Sequence, residues 1–220
     1  MSRCFETAGS KPVKAKLLKV TRELPEWEAI DAAAQALMRG GIVAFPTDTT
    51  YGLAASICCG PAIGRLRRIK GRALREPFVV LAADTDWVAE LASGMTARHA
   101  RLMEAFWPGP LTIVFKASGA VPQYLRCREG TIALRVPDDT LTQAILRASG
   151  IPLAAPSANP RGKAPAASAR EVIGYFSEEI DLVLDGGISE NVVPSTIVAV
   201  GGRKVRVLRQ GRLSIGRAHP

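Results

Sequence analysis

Four short loops hold most of the side chains suited to chemistry: residues 46–52, 70–76, 156–163 and 194–196. The first, Pro46-Thr47-Asp48-Thr49-Thr50-Tyr51-Gly52, offers hydroxyls, a carboxylate and a phenol in one short stretch. It follows the apolar run Ile42-Val43-Ala44-Phe45, so it sits where a strand ends, a preferred ligand position in an open α/β sheet. Pro46 is expected to stop further pairing, and Gly52 to allow a turn or close backbone approach. A polar strand-to-helix loop closed by an Asx or ST turn would use the same residues.

The second loop sets an ammonium and a guanidinium on either side of a glycine, Lys70-Gly71-Arg72, a pairing of point charge and planar fork that suits phosphate. Such a triplet is also common on surfaces. Ser157 and Asn159 fall just past an apolar run, and Ser195-Thr196 just before one. Arg135 lies inside the apolar run 131–136, where a charge needs a carboxylate partner or must reach a cleft. There is no GxxxxGK[ST] loop, no GxGxxG fingerprint and no GxSxG elbow, and neither His99 nor His219 has a triad context. What remains is a set of hydroxyls, amides, lysine and arginine, suited to holding anions and stabilising phosphoryl-transfer charge.

These loops need a scaffold. Trp27, Ile30, Ala34, Leu37 and Met38 have helical spacing, with Gly40-Gly41 as the stop. A strand is expected at 42–45, a short helix at 61–69, a strand at 78–82 and helices across 84–92 and 96–106. Trp107-Pro108-Gly109-Pro110 is a turn before a strand at 111–115. Strands at 131–136 and 152–155 bracket a helix carrying Leu141, Ile145 and Leu146. Ser168 and Glu171 have capping-box spacing for a helix reaching Phe176, and strands follow at 182–184, 196–200 and 204–208. Helix-like and strand-like segments alternate, which argues α/β, and 220 residues with 47% hydrophobic content argue one domain. The division expected is a basic, flexible leader over 1–22, a domain over 23–215 and a short tail over 216–220.

A net charge of +9 points to anionic partners. Six cations and no acid occur in 62–75, and six more in 201–220, as solvated faces, a nucleotide site or an RNA surface. No apolar run approaches the roughly 20 residues that span a bilayer, and the N-terminus lacks a secretory apolar stretch, so a cytoplasmic location without membrane attachment is expected. Cys4, Cys58, Cys59 and Cys127 form no CxxC pair, so no structural zinc is expected, and the adjacent Cys58 and Cys59 read as packed thiols or a redox pair.

Taken in order, PTDTTYGL at 46–53, KGR at 70–72, WPGPLTIVF at 107–115, TIALRVPD at 131–138, PLAAPSAN at 152–159, DGG at 185–187, PSTIV at 194–198 and VLRQG at 207–211 resemble the YrdC/TsaC family of threonylcarbamoyl-AMP synthases. The resemblance spans roughly 26–215 and is to the stand-alone form. It implies a single-domain twisted open sheet of mixed parallel and antiparallel strands with flanking helices around a basic concave cavity. It also implies an activity: L-threonine, bicarbonate and Mg²⁺-bound ATP give threonylcarbamoyl-AMP and pyrophosphate, and a separate transferase then modifies tRNA. By the same resemblance Lys70 and Arg72 hold the ATP phosphates as the catalytic cations, with Thr131, Ser157, Asn159 and Arg209 completing the nucleotide pocket. Thr49, Arg135 and Ser195 hold threonine, Arg135 through its carboxylate, while Tyr51 shapes that pocket or packs in the core. The metal rides on the ATP phosphates, without a protein site.

The chain departs from the family pattern at Ala73, Glu76, Leu81 and Pro160-Arg161. An acid at 76 weakens ATP binding or pairs with Arg75. Two other readings use the same residues. One is a non-catalytic module binding tRNA or double-stranded RNA, though only 5% of residues are aromatic. The other is the carbamoyl-transfer domain of hydrogenase-maturation factors, whose acylphosphatase and zinc-finger-like segments do not fit four scattered cysteines.

Overall fold

The computed structural model describes residues 15–74, 76–189, 192–201 and 204–215. Strands β1 (Lys16–Lys19), β2 (Val43–Pro46), β3 (Tyr51–Ser56), β4 (Val79–Leu81), β5 (Ala92–Ser93) and β6 (Leu111–Ala117) belong to a single sheet. It is completed by β7 (Thr131–Arg135), β8 (Leu153–Ala154), β9 (Leu182–Asp185), β10 (Thr196–Gly201) and β11 (Lys204–Arg209). The strand order is β1-β9-β2-β3-β8-β4-β7-β6-β10-β11, with β5 pairing β6 to one side. β1/β9, β2/β9, β4/β7 and β6/β10 are parallel, and the remaining pairs antiparallel. The expected mixed open sheet is therefore present.

Both faces of the sheet are covered, which is why 42–45 reads as an unbroken apolar run. Successive side chains point to opposite faces: Ile42 and Ala44 join one core with Leu66 and Val172, Val43 and Phe45 the other with Leu37 and Leu146. Helices α1 (Trp27–Met38) and α5 (Thr140–Ser149) cover the second core, while α2 (Gly60–Ile69) and α6 (Ala169–Phe176) cover the first. Helices α3 (Thr85–Leu91) and α4 (Ala97–Phe106) add Val88 and Leu102 to the first core.

Several expectations are corrected. Trp27 and Met38 are exposed, and α1 buries Ala29, Ile30, Ala33, Ala34 and Leu37 instead. At about 100° per residue Trp27 and Met38 lie on the margin of that arc, and the alanines let α1 approach α5. Pro46 does not end pairing: it is opposite Tyr51 in the β2/β3 ladder, so 47–50 is the turn of a hairpin and 46–52 is not a strand-to-helix loop. Strand β3 escapes detection because Gly52, Ala54, Ala55 and Ser56 have little intrinsic strand preference, and only its central position, buried throughout, makes it a strand. In the segment assigned to the leader, Lys16–Lys19 pairs with Leu182–Asp185 as an edge of the sheet. Residues 1–14 and the tail 216–220 lie outside the described residues. Among the described residues no helix is long and apolar enough to cross a membrane.

Candidate active site

The turn between β2 and β3 is held by Thr47. Its amide donates to Thr50 O at 3.1 Å, and its hydroxyl donates to the same oxygen at 2.8 Å. The amides of Thr49 and Thr50 donate back to Thr47 Oγ1 at 3.2 and 3.3 Å. This ST-type lock fixes Asp48 and Thr49 at the end of the sheet. Two guanidiniums brace it from outside: Arg22 Nη2 donates to Thr47 O and to Asp139 Oδ2, both at 2.9 Å, and Arg212 Nη1 donates to Asp48 O.

On one side of the turn lies a cavity of about 630 Å³. Thr49, Arg72, Thr131, Arg135, Ser157, Ser195 and Arg209 all line it, brought from six separate segments of chain. Arg128, Glu76 and Glu129 add further charge, and Phe78, Leu81 and Leu208 an apolar face. On the other side is a second chamber of about 670 Å³, lined by Arg22, Asp48, Asp138, Ser189 and Arg212. Thr47 and Thr49 line both.

Arg135 ends β7 and is 4% exposed. Its Nε donates to Gly109 O at 2.9 Å and its Nη1 to Thr49 Oγ1 at 3.2 Å, while Nη2 forms a short ion pair with Asp48 Oδ2. Both alternatives posed by a charge in an apolar strand hold together: a carboxylate partner and a cleft. Burial pulls the guanidinium pKa down and Asp48 pushes it back up. Arg209, at the end of β11, donates from Nη2 to Ser195 O at 2.8 Å, and Ser195 Oγ is 2.8 Å from Thr112 Oγ1. Burial, then Arg72 and Arg135, lower the Arg209 pKa, so Arg209 feels the other two cations of the cavity. A Cβ on Gly211 would meet Pro194 O at 2.2 Å; glycine there lets the chain leaving β11 close against the segment that presents Ser195.

Lys70 and Asn159 do not line the cavity. Lys70 Nζ donates to Ser157 O at 2.7 Å, to Asn159 Oδ1 at 2.9 Å and to Asn159 O, behind the loop that presents Ser157. Burial, followed by Arg72, brings its pKa down to about 8. The Asn159 side chain is spent within the same loop, accepting from Ser157 Oγ at 2.7 Å and donating to Lys163 O at 2.6 Å. Tyr51 belongs to the core: it is fully buried, donates to Gly187 O at 2.8 Å, and burial pushes its pKa up to about 12.

Two contributors, Arg67 and Phe78, were not singled out from sequence as site residues, and Arg161 only as a departure from the family pattern. Arg67, counted only within a basic cluster, is buried and donates to Ala73 O at 2.9 Å and to Glu76 O and Tyr124 O at 2.8 Å. It thereby shapes the loop bearing Arg72. Arg67 and Arg72 also stack on Phe78, at 4.9 and 5.1 Å from the ring centre. Arg161 reaches Gly71 O at 3.0 Å and Glu76 Oε1 at 3.5 Å, so the two departures from the family pattern meet each other. The proposed Glu76–Arg75 pair lies outside the described residues.

The Sua5_yciO_yrdC family model, described as telomere recombination, matches residues 35–211. The chain belongs to this family. Within the Sua5/YciO/YrdC family it is 34% identical over 199 residues to the threonylcarbamoyl-AMP synthase of Pyrococcus abyssi, covering 90% of this chain and 58% of that protein. The chain thus spans less than two thirds of that relative's length. The threonylcarbamoyl-AMP synthase of Nitrosococcus oceani is 34% identical over 79% of this chain and 93% of its own. The crystal structure of Pyrococcus abyssi Sua5 complexed with L-threonine superposes with a TM-score of 0.84 at 34% identity, over 89% of this chain and 57% of that one.

Proposed function

We propose that this chain synthesises L-threonylcarbamoyl-AMP from L-threonine, bicarbonate and ATP, for threonylcarbamoyladenosine formation in tRNA. The observation that carries the reading is the meeting of Thr49, Arg135 and Ser195 with Arg72, Thr131, Ser157 and Arg209 in one cavity. The kinship with synthases of similar sequence supports it.

Threonine enters with its carboxylate on Arg135 and its polar groups near Thr49 and Ser195. Its amine captures carbon dioxide, drawn from bicarbonate, and loses a proton to become a carbamate. A carbamate oxygen attacks the α-phosphorus, the bond to the β-phosphate oxygen breaks, and pyrophosphate leaves with the electron pair. Arg72 and Arg209 meet the developing charge, Thr131 and Ser157 orient the nucleotide, and Lys70 with Asn159 act from behind the Ser157 loop. ATP arrives as its Mg²⁺ complex, the metal being part of the substrate. No protein nucleophile is needed: positioning and fixed charge carry the rate. The product passes to a tRNA-modifying transferase in the cytoplasm, and the cationic surface takes tRNA.

The test is pyrophosphate release from Mg²⁺-ATP with threonine and bicarbonate, each omitted in turn, with mass spectrometry of fresh product. Release requiring all three, with threonylcarbamoyl-AMP formed, is the expected result. Folded protein that releases none and binds duplex RNA without threonine refutes it.

A further inference from the structure

Arg135 has five N–H donors, and the surrounding chain takes three of them. Gly109 O occupies Nε, Thr49 Oγ1 one hydrogen of Nη1, and Asp48 Oδ2 one hydrogen of Nη2. One N–H remains on each terminal nitrogen, the number that a carboxylate takes in a two-pronged contact. A guanidinium is a directional ligand only if its plane is fixed, and of the three restraints Asp48 alone carries opposite charge. It comes 87 residues earlier in the chain and from a different wall.

Asp48 is itself fixed. Its carbonyl accepts from Arg212, the preceding carbonyl accepts from Arg22, and Arg22 is tied to Asp139. Its Oδ1 is buried and without a hydrogen-bond partner. The carboxylate therefore spends its one hydrogen bond on Arg135. A carboxylate serving only the turn would instead be expected to accept from the turn's own amides, and here those go to Thr47.

We infer that Asp48 is a positioning residue for the amino-acid substrate, acting through Arg135 to aim the two remaining N–H groups at the substrate carboxylate. The inference rests on the proposed function. Asp48 does not touch the substrate, and its effect depends on a carboxylate being present on the ligand.

That dependence supplies the test. Affinities of wild type and Asp48→Asn are measured by calorimetry or competition for L-threonine, for L-threoninol, which lacks the carboxylate, and for Mg²⁺-ATP. The expected result is at least a tenfold loss for threonine, with threoninol and ATP changed by less than about twofold. Arg135→Lys, which keeps the charge and loses the fork, should give the same threonine-selective loss. Asp48→Ser takes the same measurements if the asparagine variant does not fold. Equal losses for threonine and threoninol, or no loss for threonine, would overturn the inference while leaving the proposed function standing. A wild-type protein that binds no threonine overturns the proposed function and this inference with it.

Discussion

Replacing Arg67 by methionine isolates the contribution of a buried cation that touches no substrate. Methionine keeps most of the stem, and removes the guanidinium that lies over Phe78 with its three hydrogen bonds to Ala73 O, Glu76 O and Tyr124 O. Charge-assisted bonds contribute about 1.5–3 kcal/mol each, so the gross loss is roughly 4.5–9 kcal/mol. Against this stands the several kcal/mol recovered by no longer burying the charge of a residue that is 7% exposed. The net destabilisation expected is about 3 kcal/mol, which for a domain of this size lowers Tm by roughly 6–12 °C. The loop from 72 to 77 should also loosen, moving Arg72 off Phe78, so the KM for Mg²⁺-ATP should rise at least fivefold with the KM for threonine unchanged. Calorimetric melting and pyrophosphate-release kinetics read both quantities. A Tm within 2 °C of wild type and an unchanged KM for ATP would refute the assignment of Arg67 as the organiser of this loop.

Three further outcomes are expected. Asp139 caps α5, accepting from Thr142 N at 2.8 Å and Thr142 Oγ1 at 2.6 Å, and also pairs with Arg22. Asp139→Ala should therefore cost about 1–3 kcal/mol in urea denaturation, and a change below 0.5 kcal/mol would contradict that role. Lys70 has a folded pKa of about 8, below its ordinary 10.5, so between those values the unfolded chain holds more protons than the folded one. Its burial penalty is complete below pH 8 and relieved as pH rises to about 10.5, so wild-type stability should gain on that of Lys70→Met between pH 8 and 10. Parallel denaturation curves of the two proteins across this range would refute the assignment. Glu76 lines the cavity beside Arg72, and its only ion-pair partner among the described residues is Arg161. Glu76→Gln should tighten Mg²⁺-ATP binding roughly two- to fivefold at low salt, less at high salt; weaker binding in calorimetry would contradict it.

Much of this was legible in the sequence where the signal is local. The helical period and the Ser168 cap locate α6, and Ser168 Oγ accepts from the Glu171 amide as that spacing implies. Apolar runs locate β2, β4, β6, β7 and β9 because central strands have no polar face to hide them. Strand β3 was lost because its small residues carry no preference of their own, and β1 because Lys16 and Lys19 read as part of a charged leader. The site divides the same way. That Arg135 must meet a carboxylate or reach a cleft follows from its neighbours; that it does both, and that the carboxylate is Asp48, follows only from the turn that β2 and β3 make together. Lys70 and Asn159 show the converse limit, since side-chain chemistry in a sequence does not say which side of a loop the group will serve.

The cavity that gathers Arg72, Arg135 and Arg209 is walled on one side by the end of the sheet. Among the described residues β11 is an outermost strand, and β1 is the other. An open edge is a template for another chain, and both edges here carry cations without an acid: Lys16 and Lys19 on one, Lys204, Arg206 and Arg209 on the other. A second copy docking on either would bring like charges to about 5 Å, a repulsion of roughly 1–3 kcal/mol for each opposed pair. The guanidinium of Arg209 is turned inward, to Ser195 O and the cavity, so on that edge the repulsion of a neighbour rests on Lys204 and Arg206.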